Sequence, residues 1–224
     1  MPESLQMSSA SHKLPGGLYA ICDDGVRPEL SLVRKGELLL DGGVRVIQLR
    51  MKRTASREAL DSARRVCSLC RSAGAVCLID DRVDLALMAD AHGVHLGDDD
   101  LPAKSARAIL GTKRIVGVTV RNAEAAQQAA RSGADYAGVG PVFATATKRV
   151  DAPVLGLEAF AAIARECPLP VVAISGICLS NIGKVAQAGA YGAAVISDLL
   201  DAADIPARAR ALSRAFADAG VRSR

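Results

Sequence analysis

The sequence has no tryptophan, and aromatic residues make up only 3% of its 224 positions. Hydrophobic residues still make up 50% of the chain, so the core is expected to be built from Ala, Val, Leu and Ile. There is no dense Lys/Arg run and no ladder of aromatics. The formal net charge of +4 comes mainly from arginines scattered along helical stretches, which argues against nucleic-acid binding. No apolar run approaches the ~18 residues of a membrane span. The opening MPESLQMSSASHKLPG carries no apolar signal region, so secretion is set aside and a cytoplasmic location is expected. Histidine occurs three times, never as HxxxH. His95 reads as a structural mid-strand residue, and His92 and His12 as surface residues. The one CxxC, Cys67 to Cys70, has no second pair to complete a zinc site. It shares an apolar helical face with Leu60 and Ala63. The six cysteines (Cys22, Cys67, Cys70, Cys77, Cys167 and Cys178) therefore read as reduced thiols, those of the CxxC buried as small hydrophobes.

What the sequence does contain is a repeated unit. A short apolar run is followed by a helical face of small residues, then by a glycine stop. Apolar runs open near residues 17, 44, 75, 94, 114, 136, 170 and 191. Asn122 and Ser180 read as helix N-caps, and the last helix covers about 205–219. Eight strand–helix pairs in about 200 residues favour a single closed parallel (β/α)8 TIM barrel over residues 17–224. Residues 1–16 read as a loose tail. An open doubly wound sheet usually holds fewer strands.

In such barrels the chemistry sits at the C-terminal ends of the strands, and polar residues collect there. Gln48-Leu49-Arg50-Met51-Lys52 ends the second strand, and alternation puts Gln48, Arg50 and Lys52 on one side. Two cations and an amide suit a phosphate or diphosphate. Without a ligand, the same stretch is a salt-bridged strand end. Asp80 and Asp81 end the third strand, and Asp98, Asp99 and Asp100 follow the fourth. Carboxylates crowded at neighbouring strand ends invite a hard divalent cation. Alternatively, Asp100 caps a helix, and Asp81 pairs with Arg82 or with the first helical turn. Thr119 ends the fifth strand. Thr145-Ala146-Thr147-Lys148 follows the sixth and offers two hydroxyls and a cation. Gly176 and the Ile196-Ser197 pair follow the seventh and eighth strands, where such barrels bind phosphate through backbone amides. No nucleophile–base pair is placed for covalent catalysis.

Taken together, QLRMK at 48–52, DDRVDLAL at 80–87, GVHLGDDDLP at 93–102, GADYAGVGPVFATATK at 133–148, SGI at 175–177 and VIS at 195–197 resemble the thiamine-phosphate synthase family. The resemblance implies a (β/α)8 barrel that joins an aminomethylpyrimidine diphosphate to a thiazole phosphate, carboxylated or not, and releases pyrophosphate. It implies that Gln48, Leu49, Arg50, Met51, Lys52, Asp80, Thr119 and Lys148 hold the pyrimidine diphosphate, with Arg50, Lys52 and Lys148 assisting its departure. Thr145, Ala146, Thr147, Gly176, Ile196 and Ser197 would hold the thiazole phosphate. Asp81 and Asp100 would ligate one Mg²⁺. The partners would be these small molecules, with neither nucleic acid nor membrane; a homo-oligomer is left open.

Several positions depart from that family's pattern. Asp80 stands where Asn is common and Asp98 where Gln is, both adding negative charge. Arg121 replaces a frequent His, Ala144 a Pro, Ser175 the first of two glycines, and Tyr191 an Asp. Three rival readings remain. A thiazole tautomerase-like paralogue should lack the GPxFxTxTK loop and the second metal carboxylate. A non-catalytic barrel that binds a thiamine precursor should bind without releasing pyrophosphate. A sugar-phosphate isomerase would need a placed Glu or Cys base.

Overall fold

A computed structural model describes residues 14–145, 147 and 152–221 of the chain. Its strands are β1 (Gly17–Asp23), β2 (Val46–Arg50), β3 (Val76–Asp80), β4 (Gly93–Leu96), β5 (Ile115–Val120), β6 (Tyr136–Val139), β7 (Val171–Ala173) and β8 (Gly192–Val195). They form one closed barrel in sequence order. All neighbours pair in parallel, and β1 closes on β8 with Leu18 opposite Ala193. The helices are α1 (Leu32–Asp41), α2 (Ser56–Ser72), α3 (Val83–Met88), α4 (Ala103–Leu110), α5 (Ala123–Arg131), α6 (Gly156–Glu166), α7 (Ile182–Gln187), α8 (Ser197–Leu200) and α9 (Ile205–Val221). This is the barrel expected from the repeat.

Alternation along each strand splits the apolar residues into two cores. The larger lies between strands and helices and is built from Ala, Val, Leu and Ile, with Cys22, Cys67, Cys70 and Cys77 among them. The smaller fills the barrel interior with Leu14, Val46, Val76, Leu78, Ile115, Val172 and Ala194, and it also holds Tyr19 and Tyr136. The aliphatic expectation therefore holds in both cores apart from Phe160 outside the barrel and Tyr19 and Tyr136 inside it. Gly117 makes room for this: a Cβ there would lie 2.0 Å from Tyr136 Cζ. Leu14, which the sequence places in the tail, is buried under the barrel, and its carbonyl accepts a hydrogen bond from the Tyr191 hydroxyl at 2.8 Å.

Several local expectations fail. β6 stops at Val139, since Pro141 has no N–H for the ladder. β8 stops at Val195, and the short helix α8 opens at Ser197. Ser180 does not cap α7; Asn181 occupies that position and its side-chain oxygen accepts from the Cys178 amide at 2.8 Å. Asn122 does cap α5, accepting from the Ala125 amide at 2.7 Å. His92 is no surface residue: it is half-buried and accepts from the Cys77 amide at 3.0 Å. His12 lies outside the described residues. All six cysteines are free, and the closest approach between two of them is Cys67 Sγ to Cys77 Sγ at 3.3 Å.

Candidate active site

The cavity at the C-terminal ends of the strands spans about 940 Å³ with its open mouth. Every strand contributes to its lining, as barrel closure requires. Gln48, Arg50, Asp80 and Thr119 line one part; Thr145, Thr147, Gly176, Ile196 and Ser197 line another.

The floor is a chain of hydrogen bonds. Gln48 Nε2 donates to the Tyr19 hydroxyl at 2.8 Å. The Tyr19 and Tyr136 hydroxyls lie 2.7 Å apart. His95 Nδ1 is 2.8 Å from the Tyr136 hydroxyl, and His95 Nε2 is 3.0 Å from Thr119 Oγ1. The His95 and Tyr136 rings stack with centroids 5.5 Å apart. Burial pushes both tyrosines well above their ordinary pKa, so both stay protonated and able to donate. His95 thus lines the cavity from its strand and links two of its walls.

Above the floor lies a cationic ledge. Arg50 Nη1 pairs with Asp23 Oδ2 at 2.5 Å, and Arg50 Nε lies 3.6 Å from Asp80 Oδ2. Lys52 Nζ lies 3.1 Å from Asp80 Oδ2 and contacts Asp81 Oδ2. Arg82 pairs with Asp84 instead, which removes the simple Asp81–Arg82 reading. The two charges that depart from the family pattern are both countered. Asp80 sits between Arg50 and Lys52, and Asp98 pairs with Arg121 at 2.7 Å. The side chains of Leu49 and Met51 pack into the outer core, as strand alternation dictates.

Asp81 has a left-handed backbone (φ 60°), which costs a non-glycine residue about 1–2 kcal/mol. Its amide donates to the His95 carbonyl at 3.1 Å, placing it beside the end of β4. Asp100 serves that same strand end. Its Oδ2 accepts from the Gly97 amide at 2.6 Å, and it does not cap α4, whose cap position is Pro102. Among the described residues no group of three His, Cys, Asp or Glu side chains could hold a metal alone. Asp80 Oδ2 is buried and accepts no hydrogen bond. Asp81 and Asp100 beside the end of β4, with no soft ligand, suit a hard dication that takes few protein ligands. Mg²⁺ commonly takes one or two carboxylates and completes its shell with water and substrate phosphate.

On the opposite side, Thr147 Oγ1 meets Ser197 Oγ at 2.8 Å, and the Thr147 amide donates to Thr145 Oγ1 at 3.2 Å. This joins the loop after β6 to the start of α8. Gly176 has φ 68°, and a Cβ there would lie 2.5 Å from the Ala144 carbonyl oxygen. Only glycine lets these two loops approach so closely. Ser175, in place of the usual glycine, also adopts a left-handed backbone at φ 72°. Ala146 and Lys148 lie outside the described residues.

Sequence reasoning missed Tyr19, Tyr136 and Asp23 and gave His95 no place at the cavity. The signal available for the first three was parity. Tyr19, Ile21 and Asp23 share one side of β1, and Tyr136 and Gly138 share one side of β6.

Comparison with known proteins agrees with this arrangement. The family profile described as thiamine monophosphate synthase matches residues 18–199. The chain is similar to a thiamine-phosphate synthase of Myxococcus xanthus, with 61% identity over 91% of this chain and 93% of that one. It is 45% identical to a thiamine-phosphate synthase of Anaeromyxobacter dehalogenans over 96% of this chain and 95% of that one. Among solved structures it is similar to a thiamine phosphate pyrophosphorylase from Pyrococcus furiosus. That match has a TM-score of 0.83 and 37% identity and covers 91% and 96% of the two chains.

Proposed function

The chain belongs to the thiamine monophosphate synthase family, and from that premise we propose how its own residues carry out the condensation. The reaction joins an aminomethylpyrimidine diphosphate to a thiazole phosphate, giving thiamine phosphate and pyrophosphate. The C–O bond to the diphosphate breaks first, its electron pair leaving with the diphosphate. The thiazole nitrogen then supplies the pair for the new C–N bond. No side chain has to act as nucleophile. The residues work by positioning two anionic substrates and stabilising the leaving group.

Gln48 and Thr119 hold the pyrimidine ring, and Arg50, Lys52 and Lys148 hold its diphosphate. Arg50 arrives pre-oriented, because Asp23 and Asp80 fix its guanidinium. Lys52 bridges Asp80 and Asp81 and offers its ammonium to the diphosphate from that ledge. Asp81 and Asp100 would hold Mg²⁺, which would supply charge neutralisation for the departing diphosphate. Thr145, Thr147 and Ser197 with the amides around Gly176 and Ile196 hold the thiazole phosphate. The single observation that supports the two-substrate reading best is the Thr147–Ser197 contact across the cavity from Arg50 and Asp80. It separates a hydroxyl-and-amide phosphate cradle from the cationic ledge. The tautomerase alternative fits poorly, since both the GPxFxTxTK stretch and Asp100 are present. A cytoplasmic setting suits six free cysteines, and no described helix is long and apolar enough to cross a membrane.

The test is pyrophosphate release from the purified protein with each substrate alone, with both, and with and without Mg²⁺. Release should require both substrates and the metal. Asp81→Ala and Asp100→Ala should each lose on the order of 100-fold in turnover, the scale of a few kcal/mol of transition-state charge stabilisation. Excess Mg²⁺ should rescue them only in part. Full activity in both variants would remove the metal assignment.

A further inference from the structure

The floor of the cavity carries a feature that neither the family membership nor the substrate roles explain: five polar side chains from five strands joined end to end. We propose that the chain Gln48–Tyr19–Tyr136–His95–Thr119 fixes a single donor/acceptor polarity in the cavity, and so selects an aminopyrimidine over its oxo counterpart. Tyr19, Tyr136 and His95 are positioning residues in this device. The inference rests on the synthase reading and deepens it, by naming what sets pyrimidine specificity.

The polarity follows from accounting for each proton. Gln48 Nε2 donates to the Tyr19 oxygen. Tyr19 is 3% exposed, and its own O–H needs an acceptor; among the described residues only the Tyr136 oxygen lies within reach, at 2.7 Å. Tyr136, 1% exposed, then passes its proton to His95 Nδ1 at 2.8 Å. That places the imidazole proton on Nε2, which donates to Thr119 Oγ1 at 3.0 Å. Burial keeps both phenols protonated, so no member drops out by ionising. At one end Gln48, with one amide N–H committed to Tyr19, presents its carbonyl oxygen as an acceptor beside its second N–H as a donor, in an order the chain fixes. At the other end Thr119, accepting from His95, keeps its hydroxyl proton as a donor and one further lone pair. Both residues line the cavity.

An aminopyrimidine matches this pair: its exocyclic amino group donates and its ring nitrogens accept. In the oxo counterpart the exocyclic atom accepts and the neighbouring ring nitrogen carries a proton, so both contacts with the Gln48 amide edge are mismatched. Gln48 could relieve the mismatch only by flipping its amide, which would oblige every hydrogen bond along the chain to reverse. A free Gln and a free Thr would adapt to either ring. The hydrogen-bonded chain prevents that adaptation, which is the penalty a buried polar site applies to a wrong partner.

The experiment compares kcat/KM for the aminopyrimidine diphosphate and the oxopyrimidine diphosphate in the wild type, Tyr19→Phe and Tyr136→Phe. Calorimetric Kd values for the two compounds, measured without thiazole phosphate, accompany it. Each Phe variant keeps its ring and breaks the chain. The amino/oxo ratio should fall by roughly 10-fold or more in both assays, while KM for thiazole phosphate stays unchanged. Thr119→Ser should keep the wild-type ratio and Thr119→Val should lose it. Ratios taken on one preparation are insensitive to a reduced active fraction, so a destabilised variant still reports. Unchanged ratios in both Phe variants would overturn the proposal. If the wild type released no pyrophosphate, the synthase reading would fall, while the Kd ratios would still decide the role of the chain.

Discussion

Asp23 should be worth more to this protein than any other surface-remote carboxylate, and removing it gives a sharp test of how the cationic ledge is held. The residue is 3% exposed at the end of β1. Its Oδ2 pairs with Arg50 at 2.5 Å, while Oδ1 accepts from the Gly25 and Val26 amides at 2.7 and 3.1 Å. Asp23→Ala strands a guanidinium whose side chain is only 17% exposed and leaves two amides unpaired. Breaking a buried pair from one side typically costs about 3–5 kcal/mol. Asp80 remains at 3.6 Å from Arg50 as a weaker partner, which places the expected loss near the lower end, about 3 kcal/mol. For a domain of this size that lowers Tm by roughly 6–12 °C. Asp23→Asn can keep an oxygen toward Gly25 and Val26 and should lose only about 1–2 kcal/mol. The chain has no tryptophan, so far-UV circular dichroism in urea and on heating is the suitable probe. Combining Asp23→Ala with Arg50→Ala should cost about 2 kcal/mol less than the sum of the single changes. A strictly additive cycle, or an Asp23→Ala variant within about 0.5 kcal/mol of wild type, would refute this account of the ledge.

Gly176→Ala would force a side chain into a φ 68° backbone with its Cβ 2.5 Å from the Ala144 carbonyl oxygen; KM for thiazole phosphate should rise by roughly 10-fold or more, and an unchanged KM would detach this loop from the phosphate. Burial alone would raise the Asp24 carboxyl, but hydrogen bonds from the Arg53 amide and from the Thr54 amide and hydroxyl hold it below the usual range. A depressed folded pKa contributes stability above the unfolded value of about 3.9, lost as pH falls through the folded value. The stability gap between wild type and Asp24→Asn, followed by urea titration, should therefore shrink below about pH 4; a gap constant down to pH ~2 would count against these bonds. Iodoacetamide at neutral pH should label Cys167 and Cys178, the half-buried thiols, in the native protein. Cys22, pushed up to about 12 chiefly by burial, and the buried Cys67, Cys70 and Cys77 should react only on unfolding; mass spectrometry showing rapid native labelling of any of these four would contradict the packing.

What the sequence by itself determined is local and periodic. The strand–helix repeat specified a barrel, because a run of apolar residues followed by a one-sided helical face has few other ways to bury both. Parity within the QLRMK stretch separated Gln48, Arg50 and Lys52 from Leu49 and Met51, because side chains on a strand alternate without exception over so short a run. Asn122 was legible as a cap for the same reason: its partner, the Ala125 amide, is three residues away. The choices that failed were those in which a competing partner lies far along the chain. Asp81 takes Lys52, 29 residues away, rather than Arg82; Asp100 is the exception, a local choice in which it turns back to Gly97 rather than forward to α4. Tyr19 and Tyr136, 117 residues apart, share a hydrogen bond only because the sheet closes into a cylinder and points both rings at its axis. Spacing along the chain decides which face a side chain occupies, and closure of the barrel decides which side chains it meets there.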